Sequence, residues 1–207
     1  MLYLVTDKKL SFISVDLQND FGSEGGKLYS PKPSFIFLKD TLFPYLESKN
    51  IQVNEIISDY RQPRPGYTKG CCEPGDWGFG SIIPEKLKRS QWIKSMNSPV
   101  WIRENIGEAT KEPGLPYSDP DKFTAWLENS VGMPDKVIPV IFGLTVDCCV
   151  LCVAQELFWR GYEVLVLKEG TDAPSGSLEE RDMILKTTVS NWAKAIDLVS
   201  LKAGLEG

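Results

Sequence analysis

The sequence contains no histidine, and this absence removes several kinds of chemistry from consideration. Without an imidazole the chain cannot build a Ser-His or Cys-His catalytic pair. It also cannot bind zinc through histidine, which supplies the nitrogen ligands of most catalytic zinc sites. Any acid–base step must therefore be carried out by a carboxylate, a lysine, a tyrosine or a thiol.

Long apolar runs and an excess of basic residues are also missing. No stretch of 18 or more apolar residues occurs, and residues 1–9 lack the charged-then-apolar order of a signal peptide. The net charge of −5 and the lack of a basic stripe argue against a nucleic-acid or anionic-membrane surface. We therefore expect a cytoplasmic protein that acts on a small molecule, with no nucleic-acid or membrane partner.

Nucleotide-binding loops are absent too. No GxGxxG follows the first predicted strand and no GxxxxGK[ST] occurs, so neither a dinucleotide nor a P-loop site is predicted. The five cysteines are an odd number and include two adjacent pairs, which makes a poor disulfide framework and favours free thiols in a reducing compartment. A zinc site built from them has little support, because the two groups of cysteines do not supply the paired CxxC spacing of a zinc ribbon or finger. We predict no cofactor and no metal.

The chain is organised around residues 140–158, VIFGLTVDCCVLCVAQELF. An apolar, β-branched run that ends in glycine indicates a buried strand, and the residues after Asp147 have the spacing of a helix. Cys149 then lies in the first turn of that helix, where the helix dipole lowers a thiol pKa and favours a nucleophilic thiolate. The alternative is that Cys148, Cys149 and Cys152 are ordinary buried core residues.

Strand and helix patterns alternate along the rest of the chain. Strands are predicted at residues 10–16, 51–58, 99–103, 136–142, 162–167 and 195–200. Helices are predicted at 34–49, 121–129, from 147 to a stop at 161, and at 177–194, with a short helix or turn at 82–88. Such alternation predicts parallel pairing through right-handed crossovers, and so a three-layer α-β-α sandwich around a mostly parallel six-stranded sheet. We expect residues 1–207 to form one domain.

Asp16 follows the first predicted strand, and a carboxylate at that end of a parallel strand faces the crevice where open α/β sheets bind ligands. The alternative is that Asp16 caps a turn. Residues 60–80 are rich in proline, glycine and aromatics and are too long for a simple connection, which favours a loop that covers a substrate.

Four segments together resemble one family in chain order. They are residues 12–21 (FISVDLQNDF), 75–87 (GDWGFGSIIPEKL), 143–150 (GLTVDCCV) and 161–164 (GYEV) followed by 172–173 (DA). This set is similar to the isochorismatase-like cysteine hydrolases, which include nicotinamidases, N-carbamoylsarcosine amidases and ureidoacrylate amidohydrolases. The similarity spans nearly the whole chain.

The resemblance implies an Asp, Lys, Cys triad in which Asp16 moves protons and Cys149 attacks an amide carbonyl. It implies an oxyanion hole from the backbone N–H groups of Thr145 and Cys149, with a cis peptide bond between Leu144 and Thr145. We expect an apolar substrate pocket lined by Phe21, Trp77 and Phe79. A homodimer or homotetramer is expected from the resemblance alone.

Two departures from the family pattern affect this expectation. The family lysine stands at the end of the third strand, where the predicted strand ends at Arg103; an arginine stabilises a thiolate or oxyanion but does not shuttle protons. Lys111 in the following loop is the alternative cation. The metal of the nicotinamidases is held by an aspartate and histidines after the second strand, and Asp59 has no histidine beside it.

The sequence thus favours a metal-independent hydrolase of a small amide or ureido C–N bond, with Cys149 as nucleophile, Asp16 as acid and base, and Arg103 as electrostatic support. A vinyl-ether hydrolase of the isochorismatase type is a second hypothesis, although such enzymes work without the cysteine. A third is a catalytically impaired member that only binds a small molecule, and Arg103 in the lysine position favours it.

Overall fold

The computed structural model describes residues 7–206, so most of the segment examined for a signal peptide, residues 1–9, lies outside the described residues. Six parallel strands form the central sheet: Lys9–Val15 (β1), Val53–Ser58 (β2), Lys88–Lys94 (β3), Val137–Leu144 (β6), Leu165–Asp172 (β7) and Lys194–Ile196 (β8). Their order in the sheet is β3-β2-β1-β6-β7-β8. A separate antiparallel pair is formed by Trp101–Ile102 (β4) and Tyr117–Ser118 (β5).

Helices cover both faces of the sheet. They are Asn19–Gly22 (α1), Pro33–Phe37 (α2), Phe43–Ser48 (α3), Pro120–Trp126 (α4), Cys149–Trp159 (α5), Leu178–Thr187 (α6) and Leu198–Glu206 (α7). A π-helical turn at Leu38–Leu42 joins α2 to α3, and another at Leu127–Val131 extends α4. The prediction of a three-layer sandwich around a mostly parallel six-stranded sheet is confirmed. None of these helices, within residues 7–206, is long and apolar enough to cross a bilayer.

The alternation of side chains along β1 divides the core between the two faces. Ile13 and Val15 belong to a buried cluster with residues of α4, α5 and α6, while Phe12 belongs to a second cluster with residues of α2, α3 and α7. Because the central strands are covered on both sides, they appear in the sequence as nearly continuous apolar runs. This explains why β1, β2 and β6 were predicted close to their observed bounds. The strand predicted at 162–167 is displaced, because β7 begins at Leu165 and continues through a more polar stretch to Asp172.

The predicted third strand at residues 99–103 is wrong. The third strand of the sheet is β3, an edge strand that pairs with β2, and only Trp101 and Ile102 of the predicted segment are extended. Val100 and Ile102 are buried against α4 and its π-helical extension, so their apolar pattern comes from packing against a helix and not from the sheet. The strand predicted at 195–200 is also too long. It ends at Ile196, and Asp197 accepts a hydrogen bond from the N–H of Ser200 (2.7 Å) at the start of α7.

Candidate active site

Three strand ends and one helix start meet at the carboxyl edge of the sheet. Asp16 follows β1, Ser58 ends β2, Lys94 ends β3, and Cys149 begins α5 after β6. Gln18 ties the ends of β1 and β2 together, because its side chain accepts from the Ser58 N–H (2.7 Å) and donates to the Ser58 carbonyl (2.9 Å). The sheet therefore gathers a carboxylate, an ammonium and a thiol from distant parts of the chain.

Lys94 and Asp16 form a buried ion pair at the centre of this group. The Lys94 side chain is 0% exposed and that of Asp16 is 2% exposed, and Lys94 Nζ lies 2.9 Å from Asp16 Oδ2. Ser58 connects the same two residues, since its hydroxyl donates to Asp16 Oδ1 (2.7 Å) and accepts from Lys94 Nζ (2.8 Å). Charges this deeply buried are stable only when paired and hydrogen-bonded, and both conditions are met here.

Lys94 also connects the ion pair to the sulfur. Its ammonium donates to the Tyr60 hydroxyl (2.5 Å) and lies 3.5 Å from Cys149 Sγ. The Tyr60 hydroxyl is itself 3.4 Å from Cys149 Sγ. Burial lowers the pKa of Lys94, but the Asp16 carboxylate and Cys149 raise it by more, so the net shift is upward and the ammonium stays protonated at neutral pH. Burial first, and then the charges of Cys149 and Asp16, raise the pKa of Tyr60 well above its usual value, so the phenol keeps its proton.

Gly143 allows β6 to approach β1 closely enough to bring Cys149 beside Asp16. Its φ of 127° lies in the region that glycine favours, and a Cβ at this position would lie 2.0 Å from the Val15 carbonyl oxygen. Any side chain would therefore push apart the two strand ends that carry the carboxylate and the thiol.

Cys148 and Cys149 form a hydrogen-bonded pair of thiols, and this changes the pKa expected for Cys149. The hydrogen bond with Cys148, followed by burial and the Asp16 charge, raises the pKa of Cys149, with Lys94 opposing. The same hydrogen bond lowers the pKa of Cys148 to about 7. The lowered pKa predicted for Cys149 is therefore found on its neighbour, and the two thiols titrate as one system.

This arrangement predicts a site-specific pH dependence of thiol alkylation. Iodoacetamide labelling of Cys148 should rise as the pH passes through about 7, since the thiolate form dominates only above the pKa. Burial raises the pKa of Cys152, one helical turn away, to about 11, so Cys152 should remain unlabelled at pH 8 and serves as an internal control. Labelled peptides would be located by tandem mass spectrometry. In a Cys149→Ser variant the inflection of Cys148 labelling should shift to higher pH. An unshifted profile would show that the Cys149 thiol does not lower the pKa of Cys148.

The elements of the expected oxyanion hole lie at the same turn. The Leu144–Thr145 peptide bond is cis, as the resemblance implies. The N–H groups of Cys148 and Val150 both donate to the Thr145 carbonyl (3.1 and 3.2 Å), whereas among the described residues the N–H groups of Thr145 and Cys149 have no recorded partner. Two backbone donors beside the sulfur are thus available to a developing oxyanion.

A cavity of about 450 Å³ opens onto this group. Asp16, Phe21, Thr145 and Cys149 line it, so these four predicted site residues are brought together. Trp77 and Phe79 are not among the lining residues, and Trp77 is 57% exposed on the surface. The remaining lining residues are Leu28, Lys32, Tyr60, Arg64, Tyr67, Thr68, Lys69, Gly70, Cys71, Asn97, Leu144 and Cys148.

Arg103 does not stand where the sequence placed it. Because the third strand of the sheet ends at Lys94 and not at Arg103, the lysine that the resemblance requires is present, and the apparent substitution disappears. Arg103 is buried but does not line the cavity, and its three guanidinium nitrogens have no hydrogen-bond partner among the described residues. Lys111 is more than half exposed and pairs with Glu108 (2.7 Å). Lys94, and not Arg103 or Lys111, is the cation that contacts Asp16 and Cys149.

Asp59, the aspartate that follows β2, is paired with an arginine. Both carboxylate oxygens of Asp59 are taken by Arg61, through Nε (2.9 Å) and Nη2 (2.7 Å), and the chain has no histidine. Among residues 7–206, one other group, Asp20 with Cys71 and Cys72, brings potential ligand atoms within 4.8 Å of one another. Its carboxylate accepts from two backbone N–H groups, and it has three donors where a structural zinc takes four.

Comparison with known proteins identifies the fold. No family model and no curated protein matches the sequence. An isochorismatase-like hydrolase from Alkaliphilus metalliredigens superposes with a TM-score of 0.65 at 18% identity, covering 98% of this chain and 99% of that one. A pyrazinamidase from Pyrococcus horikoshii in complex with zinc gives 0.62 at 18%, covering 92% and 99%. An N-carbamoylsarcosine amidase from Thermoplasma acidophilum gives 0.59 at 16%, covering 91% and 96%.

Proposed function

We propose that this chain, which has the fold of the isochorismatase-like hydrolases, is a cysteine hydrolase of a small amide or ureido C–N bond that needs no metal. The observation that carries the proposal is the contact of one buried ammonium, Lys94 Nζ, with both Asp16 Oδ2 (2.9 Å) and Cys149 Sγ (3.5 Å), two residues that line a cavity. The pairing of Asp59 with Arg61 supports metal independence, because it occupies the carboxylate that a metal would need.

In the first half of the reaction, Cys149 Sγ attacks the carbonyl carbon of the substrate while its proton passes to Asp16. This base is needed because the pKa of Cys149 is raised and the sulfur rests as a thiol. Lys94, which stays protonated, stabilises the thiolate as it forms. The N–H groups of Thr145 and Cys149 stabilise the negative charge on the carbonyl oxygen. Asp16 then gives the proton to the leaving nitrogen, and the C–N bond breaks to leave a thioester and ammonia or an amine.

In the second half, water attacks the thioester carbonyl and loses a proton to Asp16. The C–S bond breaks, the acid is released, and the proton returns to the Cys149 sulfur. Asp16 thus acts as base and acid in turn, while Lys94 remains charged throughout.

The two rival functions have less support. Vinyl-ether hydrolysis does not need a thiol beside the carboxylate, and here Cys149 shares its ammonium partner with Asp16. The binding-only hypothesis was favoured by the apparent loss of the family lysine, and Lys94 removes that reason.

Turnover of a panel of small amides and ureides tests the proposal, with ammonia or amine release as the signal and isochorismate as the comparison substrate. We expect C–N cleavage, together with a covalent adduct on Cys149 when the reaction is quenched with acid and measured by mass spectrometry. Cleavage of isochorismate alone, or no turnover of any amide and no adduct, would overturn the proposal.

Three further expectations belong with this proposal. One sheet draws strands from residues 9 to 196, which supports a single domain over residues 1–207. All five cysteines are unpaired, which supports a reducing, cytoplasmic location. A homodimer or homotetramer is checked by light scattering on the purified chain.

A further inference from the structure

Arg64 stands out among the cavity residues because it is held rigidly but has no acidic partner. It is only 6% exposed, and its guanidinium carbon lies 3.4 Å from the ring centroid of Tyr60 and 3.6 Å from that of Tyr67. Both faces of the guanidinium are therefore covered by aromatic rings, and only its edges are left for hydrogen bonding.

The edges of the Arg64 guanidinium are incompletely used. Nη2 donates to the Asn97 side-chain oxygen (3.0 Å), while Nε is buried and has no partner among the described residues. Among residues 7–206, Arg61 forms an ion pair with Asp59, whereas Arg64 forms no ion pair with a carboxylate. A guanidinium that is fixed, nearly desolvated and not neutralised by the protein is suited to bind a planar anion through two parallel hydrogen bonds.

The charges around the cavity favour the same kind of ligand. Among residues 7–206, Asp16 is the single acidic residue that lines it, and Lys94 already neutralises that carboxylate. Lys32 and Lys69 add two positive charges to that of Arg64. The cavity is therefore cationic although the whole chain carries a net charge of −5. A positive potential of this kind raises the local concentration of small anions in the cavity.

Tyr60 contacts both Arg64 and Cys149. Arg64 stacks on the ring of Tyr60, and the hydroxyl of the same ring lies 3.4 Å from Cys149 Sγ. A ligand anion bound by Arg64 would thus leave the other end of a short molecule at the sulfur.

We propose that the substrate is a small amide or ureide that carries a carboxylate, and that Arg64 binds this carboxylate and sets the specificity. The inference rests on the proposed function for the amide end of the molecule, and adds the charge and the residue that recognises it. Arg64 binds the carboxylate through an edge of its guanidinium, and the two tyrosine rings hold that edge toward the cavity.

The test uses matched substrates and one control variant. Succinamate is compared with butyramide, and N-carbamoylglycine with propylurea, so that each pair differs mainly in the carboxylate. We expect the charged member to have a kcat/KM at least about 100-fold higher, mostly through KM, since a bidentate, charge-assisted contact contributes a few kcal/mol. Arg64→Met should remove this preference, and Arg64→Lys should retain only part of the preference of the wild type. Lys39→Gln, which removes the charge of an exposed lysine that does not line the cavity, should keep it.

A binding measurement separates this inference from the proposed function. Succinate, which has no amide, should raise the melting temperature of the wild type and slow alkylation of the cavity thiols, and Arg64→Met should abolish both effects. Succinate binding without amide turnover would overturn the proposed function and support the anion site. Amide turnover with no preference for the charged substrates, or a preference that survives in Arg64→Met, would overturn the anion site alone.

Discussion

Replacement of Cys149 by alanine is expected to abolish amide hydrolysis, with a loss of at least about 10³-fold in kcat. In the proposed mechanism the sulfur forms the bond that carries the acyl group. The other groups in contact with Lys94 cannot replace it as a nucleophile, because Asp16 and Ser58 are hydrogen-bonded to each other and to the ammonium, and the Tyr60 phenol keeps its proton. Cys149→Ser should be nearly as inactive, because a hydroxyl is a far weaker nucleophile than a thiol when both are protonated at neutral pH.

The matched control is Cys152→Ser, because Cys152 lies on the same helix and is half-buried like Cys148. We expect Cys152→Ser to keep the activity of the wild type. Ammonia release at saturating substrate gives kcat, and a thermal melt of each variant shows whether loss of activity comes from unfolding. Full activity in Cys149→Ala would contradict the assignment of the nucleophile.

Whether a site residue could be predicted from the sequence depended on the element that carries it. Asp16 and Cys149 follow buried strands of the sheet interior, where continuous apolar runs mark the strand and fix the position of the next polar residue. Thr145 and Phe21 could be placed with them because they lie in the same two segments. The layers, the parallel pairing and three of the six sheet strands, β1, β2 and β6, followed from the same signal.

Lys94 could not be found in this way. It ends an edge strand, KRSQWIK, in which only Trp92 and Ile93 are apolar, so neither a strict alternation nor a buried run marks the strand. The segment around Val100 and Ile102 carried a stronger apolar pattern, but that pattern reports packing against α4. A lysine at 0% exposure is also rare, and its burial is explained by partners that the sequence does not reveal.

Arg64 was missed for another reason. It lies in the irregular segment between β2 and β3, where no period predicts which side chain faces the cavity. Its position depends on stacking with Tyr60 and Tyr67, and such contacts between loop residues are decided by the tertiary fold. The sequence predicted that this loop covers a substrate, but not the charge that it would present.

Replacement of Lys94 is the second change with a large expected effect, and it discriminates between Lys94 and Arg103. Lys94→Met should reduce kcat/KM by about 10²–10³-fold, because it removes the fixed positive charge beside the thiolate and the oxyanion. It should also lower the free energy of unfolding by about 3–5 kcal/mol, since Asp16 would be left as an unpaired charge in the interior. Arg103→Met should cost far less stability, because the Arg103 guanidinium has no hydrogen bonds to lose among the described residues, and it should keep activity.

A double variant, Asp16→Asn with Lys94→Met, separates the catalytic role of the pair from its role in folding. Removing both charges leaves no unpaired ion, so the double variant should recover much of the stability lost in Lys94→Met, as measured by urea unfolding. It should remain inactive, because neither the base nor the ammonium is present. Two results would show that Arg103, and not Lys94, is the working cation: activity that survives in Lys94→Met, and activity that disappears in Arg103→Met while the melting temperature is unchanged.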